Sequence, residues 1–165
     1  MPQTRYKMKL RLAEQTSSRS WPCRPISPAD AQALGHLMIE AYRGTIDYEG
    51  ETVEQAIEEV QGMLSNKYGA FMPASSFLIE AEGRPIAACL ISLWQAAPLV
   101  TDLMTHPDYQ GQGLGTFLLR QSINALHAQG YEELYLFVTA GNDGAQHLYE
   151  KLGFVIVDQI QRSNS

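Results

Sequence analysis

Residues 99–116 read Leu-Val-Thr-Asp-Leu-Met-Thr-His-Pro-Asp-Tyr-Gln-Gly-Gln-Gly-Leu-Gly-Thr, and this stretch constrains the fold more than any other. A short apolar run of strand type meets a His106-Pro107 break, crosses three glycines at alternate positions, and enters a segment with helical spacing. The order is strand, tight loop, helix N-terminus. The first N–H groups of a helix lack intrahelical partners, and aligned peptide dipoles add partial positive charge there, so such an end attracts anions. Gly111, Gly113 and Gly115 leave the backbone bare, so that successive amides can turn inward as a nest for phosphate oxygens.

The 165 residues fit one folding unit, and 45% hydrophobic against 18% charged residues is an ordinary globular balance. Residues 1–20 read as an N-terminal extension and residues 21–165 as the main domain. No apolar run approaches the roughly 18 residues of a membrane span, and the N-terminus lacks a signal peptide's apolar centre. A cytoplasmic protein with no membrane partner is expected. Cys23 and Cys89 stand far apart without metal-ligand spacing and read as free thiols, so no metal site is expected. Arg5, Lys7, Lys9, Arg11 and Arg19 against Glu14 give the extension +4, whereas the whole chain carries −6. An acidic body argues against nucleic-acid binding, which needs a basic face. A transit peptide is the lesser reading of the basic start.

Lys7 to Leu12 alternates charged and apolar residues, the pattern of a half-buried strand, and its outward charges suit an edge. The prolines of Trp21 to Ile26 confine that extended piece to a sheet margin. Ser27-Pro28-Ala29-Asp30 and Thr52-Val53-Glu54-Gln55 are capping boxes, each opening a helix. Between those helices lies an acidic, aromatic connection. Strands follow over 76–82 and 85–94, joined through Gly83-Arg84, and then over 98–105. A helix after the glycine loop stops near Gly130, Glu133 to Val138 is a strand, and a last helix from Asn142 or Asp143 stops at Gly153. Phe154 to Val157 is the last strand.

Gly111-Gln-Gly-Leu-Gly-Thr116 approaches the dinucleotide fingerprint, yet Thr116 stands where the third glycine belongs and no acid ends the next strand. The phosphate-loop NTPase pattern needs a Gly-Lys pair, and the chain has none. Gln110-Gly-Gln-Gly113-Leu-Gly115 instead resembles the Gln/Arg-x-x-Gly-x-Gly/Ala pyrophosphate loop of the GNAT superfamily of acyl-CoA-dependent N-acyltransferases. Leu103 to Tyr109 resembles the preceding strand and turn, and Asn142 with Leu148-Tyr149-Glu-Lys-Leu-Gly-Phe154 resembles the second cofactor motif. The likeness spans roughly residues 21–157. It implies an α/β fold: a mixed, centrally splayed sheet flanked by about four helices, here with an extra N-terminal strand.

The resemblance implies acetyl-CoA as donor. The backbone of Leu103, Met104 and Thr105, at a bulged strand, would hold the pantetheine arm as an added strand would. Gln110, Gly111, Gln112, Gly113, Leu114, Gly115 and Thr116 would enclose the pyrophosphate. Asn142 would hydrogen-bond the cofactor, and Tyr149 would protonate the departing thiolate. A tyrosine with pKa near 10 stays protonated at neutral pH, which suits that role, although a half-buried aromatic on a helix face is the plain alternative. The implied reaction is direct attack of a primary amine, small-molecule or peptide, on the thioester in a ternary complex. An acyl-CoA-binding sensor without turnover is the competing reading.

A general base is not evident. Leu99, Thr101 and Phe137 occupy places where family members carry a carboxylate; Asp102, Glu80 and His106 are the candidates, with Asp102 on the face opposite Leu103 unless a bulge re-aims it. Tyr42, Asp47, Tyr48 and Glu49 would suit a cationic acceptor, though acids there also complement a helix start. The family usually ends in two strands after the last helix, and the residues after Phe154 suffice for one. The Lys7 to Leu12 strand is therefore expected to supply the missing pairing, in the same chain or across a homodimer.

Overall fold

A computed structural model describes residues 3–162. Local signals set most of its elements: β1 (Gln3–Arg11), β2 (Arg24–Pro25), α1 (Ala31–Tyr42), α2 (Val53–Leu64), β3 (Ala70–Phe71), β4 (Phe77–Ala81), β5 (Arg84–Trp94), β6 (Ala97–Thr105), α3 (Leu114–Ala128), β7 (Glu133–Thr139), α4 (Asp143–Lys151) and β8 (Val155–Arg162). Both capping boxes form. Asp30 accepts from the Ser27 N–H at 2.8 Å across a 3-10 turn that leads into α1. At α2, Thr52 Oγ1 accepts from Gln55 N–H at 3.1 Å while Gln55 Oε1 accepts from Thr52 N–H at 2.9 Å. Gly153, with φ 108°, stops α4 in the left-handed conformation glycine tolerates.

The strands form one mixed sheet in the order β2-β4-β5-β6-β7-β1-β8, with β3 also on β5. The N-terminal strand lies inside it. Met8 pairs with Leu136 of β7 on one side and Ile156 of β8 on the other, both antiparallel. The missing pairing is thus supplied within the chain. The expected edge position is corrected: period-2 alternation reports half-burial and cannot say how many neighbours a strand has. One hairpin turn also differs from expectation, by a single residue. The β4–β5 turn is Glu82-Gly83, with φ 54° and 76°, and Arg84 already pairs with Ala81. The β5–β6 turn places Gln95 and Ala96 at φ 50° and 68°, a mirror-type turn without its usual glycine or asparagine.

Each face of the sheet has its own core. On one face α3 and α4 cover Met8, Cys89, Ile91, Val100, Leu134 and Leu136. On the other, α1 and α2 cover Leu78, Ala88, Leu90 and Met104. The two latter helices touch through Gly35, where a Cβ would fall 2.5 Å from Ile57 Cγ1 and 2.7 Å from its Cα, so any side chain would force them apart. Buried Asp30 is held by the Arg24 guanidinium at 2.7 and 3.0 Å, which keeps its carboxyl below the usual range. No helix among the described residues is long and apolar enough to cross a membrane.

Candidate active site

Strands β6 and β7 are parallel neighbours at one residue pair only, Leu99 with Tyr135, and diverge beyond it. That divergence creates the site. On its other side β6 remains paired with β5, and His106 N–H donates to Ile86 O at 2.7 Å. In an antiparallel ladder the bonding direction alternates, so the backbones of Met104 and Asp102 face β5 while those of Leu103 and Thr105 face the gap. Those two residues therefore present a short strand edge to whatever enters. The gap opens into a cleft of about 720 Å³ that continues between α1, α2 and α4.

A bulge sets the chemistry on that strand. Val100 pairs with Ile91 and Asp102 with Leu90, leaving Thr101 as the extra residue, its Oγ1 donating to Leu90 O at 3.1 Å. Without the bulge Val100 and Asp102 would share a face. With it, Val100 packs under α3 while Asp102 turns toward α1, opposite Leu103, as the alternation alone also predicts for that pair. There the Tyr42 hydroxyl donates to the Asp102 carboxylate and lies 3.4 Å from Leu103 O. Burial pushes the Asp102 carboxyl up to about 6, and the hydrogen bonds from Tyr42 and the Leu103 N–H oppose the shift. Burial and then Asp102 hold the Tyr42 phenol well above its ordinary value.

Tyr149 enters from α4. Its ring packs against Phe154 at 5.9 Å, and it is 9% exposed on the cleft wall. Burial first, then Cys89, Asp102 and Asp47, raise its pKa further, so it holds its proton through the physiological range. Among the described residues its hydroxyl has no hydrogen-bond partner. Cys89 beneath is fully buried, bonded to Ser122 at 3.4 Å, and burial pushes its thiol up to about 12, which leaves it unsuited to nucleophilic attack.

The glycine loop caps the neighbouring end. His106 Nδ1 accepts from Asp108 N–H at 3.1 Å and fixes a 3-10 turn over Pro107–Tyr109. Gln110 Nε2 lies 3.5 Å from Thr105 O, and Gly113, at φ 89°, is the N-cap of α3. A Cβ there would meet only Trp21, 3.7 Å away, so backbone conformation and not space demands glycine. Gly115 in the first turn faces Thr105, Leu103 and α4's Leu148, which puts the helix end beside the open strand edge. Leu114 points into the core, and Gly111, Gln112 and Thr116 complete the loop and first turn with their backbone.

The α1–α2 connection folds over the same cleft. Asp47 accepts from Thr139 Oγ1 at 2.8 Å and from Asn142 Nδ2 at 3.2 Å, tying that connection to the ends of β7 and α4. Asn142 Oδ1 also accepts from Ala145 N–H at 3.3 Å, so much of its expected ligand-bonding capacity is engaged as a cap. Tyr48 donates to Glu51 O at 3.1 Å, and Tyr42, Tyr48 and Glu49 line the cleft. Glu80 does not reach it. That carboxylate accepts from Arg24 Nε at 2.8 Å at the β2–β4 margin, and its candidacy as base is corrected on that ground. His106 is taken up as a cap and lies 3.9 Å from Glu40. Sequence spacing passed over Glu59, Tyr68 and Arg5, which also line the cleft; they come from elements remote in sequence and carry no local motif.

Similarity to known proteins agrees with this geometry. Residues 33–154 match the Acetyltransferase (GNAT) family. The [Ribosomal protein bS18]-alanine N-acetyltransferase of Escherichia coli is 35% identical over 79 residues, covering 48% of this chain and 53% of that protein. The chain thus spans about half the length of the curated relatives it first matches. The fold is shared with a GCN5-related N-acetyltransferase from Sphaerobacter thermophilus, with a TM-score of 0.73 at 20% identity over 98% of this chain and 51% of the other. It is shared also with PaiA N-acetyltransferase from Thermoplasma acidophilum, solved in complex with coenzyme A, at a TM-score of 0.69 and 19% identity over 88% and 100% of the two chains. With the family match extending over most of its length, and a splayed sheet beside a glycine-capped helix, this chain belongs to the GNAT acetyltransferase family.

Proposed function

We propose that the protein transfers the acetyl group of acetyl-CoA to a primary amine by direct attack within a ternary complex. The observation that carries this reading is the half-buried edge of β6 at Leu103 and Thr105, left unpaired by β7, with Leu103 lining a cleft shared by the uncommitted Tyr149 hydroxyl and the Asp102 carboxylate. The residues fit the donor. Leu103 and Thr105 offer backbone groups to an extended amide-bearing arm, and the α3 N-terminus with Gly111 and Gly113 offers N–H groups to phosphates. Bound there, acetyl-CoA supplies an activated acyl thioester.

The chain's own residues then have separable tasks. A strand amide facing the gap polarises the acyl carbonyl, and a fixed geometry removes entropic cost from the encounter with the amine. Tyr149 donates its proton to the leaving sulfur. Asp102, ionised above about pH 6 and steadied by Tyr42, accepts the proton of the incoming ammonium. The acceptor is a cationic amine, since Asp47, Glu49, Glu51, Glu59 and Asp102 line the cleft with Arg5 as its basic lining residue. The test is thiol release from acetyl-CoA across a panel of polyamines, amino sugars and peptides with free N-termini. Saturable release with a cationic amine is expected; cofactor binding with no release on any amine would replace this reading with an acyl-CoA sensor.

A further inference from the structure

We infer that Arg19, from the segment joining β1 to β2, is a phosphate-binding residue of the coenzyme A site; this rests on the acyl-CoA reading above. Between Arg84 and Arg120 the chain contains no lysine or arginine, so β6, the glycine loop and the first turn of α3 contain no cationic side chain of these types, and Asp108 adds a negative one. Helix dipole and backbone amides alone would face the several negative charges of coenzyme A's phosphates. Arg19 fills that deficit from elsewhere. Its Nη1 donates to Gln112 O at 3.1 Å, inside the loop, and its guanidinium stacks on Trp21 at 4.8 Å. Trp21 in turn packs edge-on against Phe117 of α3 at 5.6 Å and stands over Gly113.

The placement is built from two ends. Four residues upstream, Gln15 is clamped to α3 and to the end of α4. Its N–H donates to Asn124 Oδ1 at 2.8 Å, Asn124 Nδ2 donates to its carbonyl at 2.9 Å, its Nε2 donates to Leu152 O at 2.9 Å, and Arg120 Nε donates to its Oε1 at 3.2 Å. From Asn124 to Gly113 the helix climbs about 16 Å, and the residues from Gln15 to Trp21 span at most about 20 Å when extended. The segment covers that distance with bends at Ser18 and Arg19, and its anchored ends hold Arg19 over the helix end. One guanidinium N–H is used on Gln112; the others stay in the same fork for phosphate oxygens. The basic excess of the N-terminal extension thereby acquires a local use.

Calorimetric titration of the full chain and of Arg19→Ala and Arg19→Lys with acetyl-CoA, 3′-dephospho-CoA and S-acetylpantetheine tests this. Arg19→Ala is expected to weaken acetyl-CoA about tenfold at low salt, with the gap closing as salt rises. Arg19→Lys should recover part of the loss, and acetylpantetheine, which lacks phosphates, should bind all variants alike. A loss that persists with 3′-dephospho-CoA assigns the contact to the diphosphate; one that disappears assigns it to the 3′-phosphate. Acetyl-CoA affinity within twofold of the parent, a salt-independent loss, or an equal loss for acetylpantetheine would overturn the inference. If the parent chain binds no acetyl-CoA, the acyl-CoA reading fails first and this one with it.

Discussion

Tyr149→Phe separates chemistry from architecture at this site. The hydroxyl has no partner among the described residues, so its removal orphans no hydrogen-bonding group there, and the ring's contact with Phe154 at 5.9 Å stays in place. Stability should therefore hold within about 0.5 kcal/mol, the ordinary range for a change that breaks no buried interaction. General acid catalysis contributes roughly 10²- to 10⁴-fold, so kcat should fall by that factor, equivalent to about 2.7–5.5 kcal/mol of barrier. Cofactor affinity should move less than twofold, because the strand edge and the glycine loop are untouched. Steady-state thiol release with calorimetric acetyl-CoA binding and a urea midpoint on the same preparation reads all three. A kcat within threefold of the parent, at unchanged affinity, would remove Tyr149 as the acid.

Asp102 should impose an acid limb on kcat/KM near pH 6, since its carboxyl is raised from 3.8 to about 6 and must be ionised to accept a proton. The sign for stability is opposite: the fold disfavours the ionised form, so this group costs stability progressively between about pH 4 and pH 6. Asp102→Asn should abolish the limb together with at least about tenfold of the rate. Tyr42→Phe removes a hydrogen bond that favours the carboxylate, so the limb should move to higher pH; a pH profile that stays in place in both variants would discard the pair. Met8→Ala, at a position 0% exposed between β7 and β8, should cost about 2–5 kcal/mol in urea unfolding. Loss below about 1 kcal/mol would show that β1 is dispensable to the sheet. Ser92→Ala should be neutral or stabilising by up to about 1 kcal/mol, since the Ser92 hydroxyl is buried without a partner among the described residues; clear destabilisation would show that it has one.

What could be read in the sequence was what short spacing determines. The caps at Ser27 and Thr52 are hydrogen bonds between residues three apart, the stop at Gly153 is one residue's backbone preference, and the glycine loop is contiguous. Two motifs at their proper separation also carried the family. The Gln95-Ala96 turn escaped because neither residue advertises positive φ, and the register of the Glu82-Gly83 turn slipped by one residue.

Tertiary structure decided the rest. Whether Lys7 to Leu12 was an edge or an interior strand depended on partners near residues 136 and 156, at separations where loop-closure entropy gives no local preference. A bulge at Thr101, invisible in composition, turned Asp102 toward Tyr42, while Glu80, equally acidic, was drawn to Arg24 at the far margin of the sheet. Asp47, read as an acceptor contact or a helix-start charge, also became the tie between the α1–α2 connection and α4. By itself the sequence determined that residues 99–116 are a strand, a loop and a helix start able to hold an anion, because those properties reside in neighbouring backbone groups. Only the folded chain decided which carboxylate, which phenol and which arginine stand beside it, because each arrives from a different element and is fixed by packing.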